Sequence, residues 1–259
     1  QPFLMLKWQR MVTFMAYGWK WKETKQRRFF DIFIKVPRKN GKTQYLAAVG
    51  IYGQTFDPYE DGCQVWWFAT KKEQAKIGFG YQKKMAELLI AKSPAVAAEI
   101  RVMQFRIQDR ITTGYTSYLG KNSKGEDGFN PFYAFSDEGH AQETDDMREV
   151  MTSGMVARNS PMMWSISTEG FLEDSPFVRF QNRCKQALDG IIDMPETLPV
   201  IFDLDEGDDW EDERNWWKVN PALGESLKIE NLRRDYRNAK AKGLTAVRNF
   251  QTKNLNIRQ

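Results

Sequence analysis

The chain has 259 residues and a formal net charge of +4; 41% of it is hydrophobic and 14% aromatic. That suits one large domain, or one domain with a smaller appendage, and is too apolar for a disordered chain. Cys63 and Cys184 are the only cysteines and His140 the only histidine, which excludes a disulfide framework, a four-cysteine zinc site and a histidine-rich metal centre within the chain, and leaves a histidine-dependent triad only His140. No apolar run of about 18 residues is present, so no membrane-spanning helix is expected. The start, Gln1-Pro2-Phe3-Leu4, has neither an initiator Met nor a signal-peptide pattern, and the chain reads as a piece of something longer. Sparse cysteines fit a reducing compartment. The small positive charge is a weak pointer to an anionic partner.

In chain order, residues 29–36 (FFDIFIKV) predict a buried strand and residues 42–52 a helix. A second strand is expected over 64–69 (QVWWFA) and a long helix over 71–91. Short strands follow at 110–113 and 116–119, then a polar loop, 120–130. Residues 132–136 (FYAFS) predict another buried strand, 144–156 a helix, and 162–167 (MMWSIS) a further strand. Alternating strands and helices imply a mainly parallel sheet with helices on both faces. After residue 171 the strand pattern fades. Helical stretches are expected near 176–188 and 229–242, so 1–170 reads as the core and 171–259 as a helical or irregular appendage.

Chemistry gathers first at Pro37-Arg38-Lys39-Asn40-Gly41-Lys42-Thr43, between a predicted strand and a predicted helix. Backbone N–H groups and a helix N-terminus cradle phosphates at such a place. Lys42 would reach the β- and γ-phosphates of a nucleotide, and Thr43 would hold Mg²⁺. A consensus phosphate loop has Gly five residues before Gly41; here Val36 stands there, and Arg38 adds a cation. The bland alternative is a basic turn that happens to contain Gly-Lys-Thr. The second signal is Asp137-Glu138 at the end of an apolar strand. A strand-terminal Asp holds Mg²⁺ and the adjacent Glu can polarise the attacking water. An acidic turn is the alternative, and the phosphate loop about 95 residues upstream favours the pair. His140, two residues on, suggests a link between the nucleotide site and a neighbouring element; a lone structural histidine is the other reading. Ser167-Thr168-Glu169-Gly170 ends the next strand. Its hydroxyls could sense the γ-phosphate, although alone it reads better as a turn. The Gln9 amide beside Trp8 matches the two-sided edge of adenine; from spacing alone, a core Trp and a surface Gln fit better.

Together these motifs resemble the large subunit of the terminase of tailed bacteriophages, specifically its N-terminal packaging ATPase domain. Trp8-Gln9 is similar to the family's adenine motif, and residues Arg38 to Thr43 to its Arg-containing Walker A. Asp137-Glu138-Gly139-His140 resembles the Walker B, and Ser167 to Gly170 the coupling motif, with Glu169 where a small residue is commoner. Trp217, Asn220, Pro221 and Leu223 match a W-x-x-N-P-x-L tract, and residues 250–256 (FQTKNLN) resemble the segment before the nuclease domain. The resemblance implies an ASCE-type P-loop sheet followed by a lid or linker subdomain. It implies ATP hydrolysis that drives double-stranded DNA into a procapsid, in a ring, commonly five-fold, on the portal protein. A small terminase subunit is the other expected partner. The expected location is the host cytoplasm, transiently docked on the procapsid, with a monomer in isolation and no membrane. The family's nuclease would lie beyond Gln259.

A ring ATPase commonly receives an arginine from a neighbour. Arg158, after the helix that follows Asp137-Glu138, is the expected candidate, Arg148 the runner-up, and Arg38 a source in cis; a solvated helix-end Arg is the plain alternative. A motor indifferent to sequence should grip phosphates. Lys121 and Lys124 are candidates, with solvent-facing lysines as the alternative, and the basic stretch 20–28 could face a neighbour. A helicase would need a second RecA-like core, for which 171–259 is too short and irregular. A non-catalytic adaptor is disfavoured by intact Lys42, Thr43, Asp137 and Glu138. The segment 203–213 carries eight carboxylates and no base. Removing those eight charges from the net +4 leaves +12 on the rest, as suits a DNA motor. The run itself reads as a solvated loop of the lid or as an acidic face for a basic neighbour.

Overall fold

A computed structural model describes residues 3–58, 60–119, 129–141, 144–172 and 174–259. Its centre is an eight-stranded sheet. The strands are β1 (Asp31–Lys35), β2 (Gln64–Phe68), β3 (Ile100–Val102), β4 (Ile107–Asp109), β5 (Tyr115–Leu119), β6 (Pro131–Asp137), β7 (Met162–Ser167) and β8 (Thr197–Ile201). Their order is β3-β4-β5-β2-β6-β7-β1-β8. The block from β5 to β8 is parallel; β3 and β4 add an antiparallel edge.

The sequence alternates because the sheet is covered twice. On β1, Ile32 and Ile34 join one core while Phe33 joins the other. On β7, Met162, Trp164 and Ile166 face the first side and Met163 the second. The first face is covered by α1 (Lys7–Gly18), α2 (Lys42–Thr55), α3 (Lys72–Lys92) and the short α4 (Pro94–Glu99). The second is covered by α5 (Asp146–Gly154) and α6 (Pro176–Leu188). Trp67 and Trp164 are fully buried between layers; burial of a side chain of this kind contributes about 2–3 kcal/mol. Helix starts are locally written. Ser175 Oγ accepts from Val178 N at 3.3 Å, with Pro176 in the first turn, a cap-plus-proline signal.

The C-terminal part differs from expectation. β8 lies within 171–259 yet pairs with β1, and α6 packs on the sheet. The sheet's own layers therefore run to Ile201. A separate cluster follows, built from α7 (Glu213–Val219), α8 (Ile229–Lys242) and α9 (Leu244–Leu255) around Trp216, Leu232 and Phe250. The acidic run is paired with bases elsewhere in the chain. Six of its eight carboxylates meet bases among the described residues: Asp203 with Lys35 and Lys185, Asp205 and Asp208 with Lys218, Glu211 with Lys240, Asp212 with Arg214, and Glu213 with Arg233. Most of these pairs are exposed and hold the subdomain weakly.

Register sets the site. Lys35 lies opposite Ser167 on one side and Ile201 on the other, and Asp137 lies opposite Ile166. The segments that leave β1, β6, β7 and β8 thus emerge at one end of the sheet, where ligands of parallel α/β sheets bind.

Candidate nucleotide site

The loop between β1 and α2 is held from four directions. Val36 N donates to Ser167 O, and Arg38 N to Lys253 O. Gln9 Nε2 donates to Gly41 O at 3.1 Å, while Gln9 Oε1 accepts from Leu6 N at 2.9 Å. Asn40 is fully buried. Its Nδ2 donates to the Pro37 and Arg38 carbonyls and to Asn220 Oδ1, and its Oδ1 accepts from Ala222 N. Gly41 caps α2 at φ 78°, and a Cβ there would lie 3.0 Å from Gln9 Nε2. Both facts call for glycine. Lys39 also has positive φ, 67°.

A cavity of about 690 Å³ opens above this loop. Gln9, Arg38, Lys39, Gly41, Lys42, Thr43 and Glu138 line it, together with Ile77 and Tyr81 of α3. Lys42 is buried, and its Nζ donates to the Val36 and Pro37 carbonyls at 3.1 Å each. Burial lowers its pKa to about 8, against the opposing pull of Glu138 and Asp137. Thr43 Oγ1 donates to Asp137 Oδ2 at 3.1 Å. Burial, then the Glu138 charge, raises Asp137 to about 6. A hydroxyl and a desolvated carboxylate in contact form a hard-oxygen donor pair that suits Mg²⁺, which is commonly held by one or two carboxylates plus substrate phosphates.

Glu138 follows at φ 56°, a left-handed conformation costly for a non-glycine residue. Its N–H donates to Ile166 O and to Asp137 Oδ1. A short 3₁₀ turn, Gly139–Ala141, carries His140. The His140 backbone N–H donates to Ser167 Oγ at 3.1 Å, and its Nδ1 lies 2.8 Å from the same oxygen and 3.1 Å from Glu138 Oε2. Burial lowers the His140 pKa, opposed by Glu138 and reinforced by Arg38 and Lys42. Thr168 is fully buried, and its Oγ1 has no hydrogen-bond partner among the described residues.

Other expected residues stand elsewhere. Trp8 turns into the core, edge-on to Tyr45 and Phe202 at 5.5 and 6.1 Å. It supports α1 beneath the site, and only its neighbour Gln9 reaches the loop. Pro37 and Asn40 shape the loop rather than line the cavity. Arg158 lies at the opposite end of the sheet, where β2 and β6 begin. It pairs with Glu60 Oε2 at 2.7 Å and donates to the Gly62 and Asn130 carbonyls. An arginine so engaged and only 9% exposed along its side chain clamps strand ends. Arg148 pairs with Asp31, approaches Ser165 Oγ and stacks over Phe180. Within 20–28, Arg27 is buried against Asp57 and Arg28 stacks on Trp19 and Trp21. Lys121 and Lys124 lie outside the described residues.

Sequence reasoning did not foresee that Asn40 is tied to Asn220 and Ala222. The signal lay in the W-x-x-N-P-x-L tract, but nothing local connects residues 180 positions apart. Lys35 was also missed. It is buried to 1% exposure and meets Glu169 Oε2 at 2.5 Å, Asp203 Oδ1 at 2.8 Å and the Asn256 carbonyl at 3.3 Å. Glu169, the unusual residue of the 167–170 motif, is thereby a partner for a buried base.

Comparison with known proteins bears on the family and the fold. Residues 7–185 match the model of the terminase large subunit, ATPase domain. Protein YmfN of Escherichia coli K12 is 37% identical over 131 residues, covering 51% of this chain and 29% of that protein. The large terminase of bacteriophage HK97 superposes with a TM-score of 0.83 at 21% identity, over 100% of this chain and 51% of that one. The large terminase of a thermophilic bacteriophage, solved in complex with ADP, gives a TM-score of 0.59 at 13% identity, over 90% of this chain and 50% of that one. The chain thus spans less than a third of the curated relative and about half of these terminases. No helix among the described residues is long and apolar enough to cross a membrane. With the family match covering most of its length, the chain belongs to the terminase large subunit ATPase domain family.

Proposed function

We propose that this chain binds ATP with Mg²⁺ over the 36–43 loop, hydrolyses it, and uses the cycle to drive double-stranded DNA into a viral procapsid. The observation that carries the reading is that Lys42, Thr43 and Glu138 line one cavity while Asp137, buried behind it, accepts from Thr43 Oγ1. The N–H groups at the start of α2 and the Lys42 ammonium meet the phosphates, and the triphosphate replaces the two loop carbonyls as Lys42's partner. Thr43 and Asp137 would hold Mg²⁺, which neutralises charge on the phosphate oxygens. Glu138 accepts the proton of the attacking water. Gln9 reads the adenine edge. Arg38, the arginine lining the cavity, stabilises developing charge in cis, since Arg158 and Arg148 are engaged within their own chain. Thr168, at the end of β7, responds to the γ-phosphate.

As a motor domain the chain acts in a ring of copies, five in number, docked on a portal protein and supplied with DNA by a small subunit. This takes place in the host cytoplasm, and the isolated chain is a monomer. The cationic balance outside 203–213 favours a DNA partner. The helicase alternative has no supporting observation: the 204–257 cluster is helical and has no strand of its own among the described residues.

The test is Mg²⁺-dependent ATP turnover of the wild type and of Glu138→Ala. Loss of the base should lower turnover by about 10²-fold or more. Equal, background-level rates would sink the enzymatic reading.

A further inference from the structure

We propose that His140 is a positioning residue for hydrolysis, its Nδ1–H anchored on the Ser167 hydroxyl and offered to the Glu138 carboxylate. The proposal rests on the reading of Glu138 as the group that handles the attacking water.

A count of donors leads to it. The Ser167 hydroxyl has one proton, and it donates this to the Thr168 carbonyl at 3.0 Å. Its oxygen accepts the His140 backbone N–H at 3.1 Å. The third contact, 2.8 Å to His140 Nδ1, is therefore favourable only if Nδ1 carries the proton. Glu138 Oε2 stands 3.1 Å from that same nitrogen, within reach of its N–H, and is buried with no hydrogen-bond partner among the described residues. One N–H thus faces two acceptors. The first belongs to the residue that meets the water, and the second to the end of β7.

The imidazole cannot drift from this place. A Cβ on Gly170 would come within 2.8 Å of His140 Cβ and 3.1 Å of its Cδ2, so glycine at 170 makes the seat. The backbone of Glu138 is pinned to Ile166 O on β7, two residues before Thr168. The side chain that must turn toward the water is therefore steered by a ring fixed on the neighbouring strand. As Glu138 turns, the Nδ1–H stays anchored on Ser167 Oγ while the carboxylate moves into or out of its reach. Ser167 is bonded to Thr168 O, and Glu169 N donates to Asn256 Oδ1 at the end of α9. The state of the carboxylate thereby reaches the C-terminal helices through hydrogen bonds on the two sides of the 168–169 peptide.

The experiment measures kcat and KM for Mg-ATP on the whole chain for the wild type, Glu138→Gln, His140→Ala, His140→Asn, His140→Gln and Ser167→Ala. Asparagine places an amide N–H near the position of Nδ1–H; glutamine places it near Nε2. His140→Ala should lower kcat by about 10²-fold with KM within about twofold. His140→Asn should recover most of that loss and His140→Gln should not. Ser167→Ala should lower kcat in the same direction, and its combination with His140→Ala should be less than additive. Wild-type kcat in His140→Ala or in Ser167→Ala, or equal rates in the Asn and Gln variants, overturns the proposal. Wild-type turnover in Glu138→Gln would instead overturn the site reading on which it rests.

Discussion

Two buried lysines seven residues apart bound the same loop, and their surroundings are opposite. Lys35, at the end of β1, is enclosed by Glu169, Asp203 and the Asn256 carbonyl. Lys42, at the start of α2, has only the carbonyls of Val36 and Pro37 as hydrogen-bond partners among the described residues, and burial pushes it down to about 8. A buried cation beside carboxylates has its charge compensated by the fold and serves as a joint. A buried cation hydrogen-bonded only to neutral oxygens, with Glu138 and Asp137 near but making no ion pair with it, keeps a desolvation cost that a touching anion would relieve. The first lysine is structural, and the second is the one that the proposed reading sets against phosphate.

The sharpest way to break this contrast is Lys42→Ala, measured by ATP turnover. Removing a preorganised cation from a phosphoryl-transfer site should cost about 10²–10³-fold, while the unfolding temperature stays level or rises. Next comes Lys35→Met, measured by thermal unfolding. It strands Glu169, leaves Asp203 with Lys185 alone, and should cost about 3 kcal/mol, roughly a 10 °C fall for a chain of this size. Lys35→Met combined with Glu169→Gln should recover part of that loss.

Two smaller effects sharpen the picture. Asn220→Ala leaves Asn40 short of its tertiary partner and should cost about 1–2 kcal/mol. The loss should appear both in stability and in nucleotide affinity, because Asn40 shapes the loop. Finally, the Lys42 pKa of about 8 predicts a pH dependence. Below pH 8 the nucleotide-free protein already carries the charge. Above it, binding must take up a proton, so affinity should fall as pH rises, by roughly tenfold from pH 8 to pH 9 at most. A flat profile measured by equilibrium titration would show that burial does not depress Lys42.

Much of the sheet was legible because fully covered strands leave short apolar runs, as in 64–68 and 162–167. β8 was not, because Pro199 argues against a strand. It is tolerated here because β8 is the outermost strand and pairs only with β1. Gln9 and Trp8 were read as a unit, but successive helical residues diverge by about 100°, so one reaches the loop and the other the core. Arg158 was placed at a rim, and the structure puts it at the rim away from the 36–43 loop. In a strand–helix–strand unit, the link from helix to next strand must return to the strand N-terminal end, and that geometry could have been drawn from the sequence pattern. The pairing of Lys35 with Glu169 was invisible because it joins three strand ends and a helix end that only the tertiary fold brings together.

The most direct test is the rise in unfolding temperature that saturating Mg-ATP produces in the wild type, Lys35→Met and Lys42→Ala. A ligand that binds only the folded state raises stability by about 2.7 kcal/mol at a hundred times its Kd. The account predicts a clear rise in the wild type, a similar rise from a lower starting point in Lys35→Met, and none in Lys42→Ala. An undiminished rise in Lys42→Ala would contradict it.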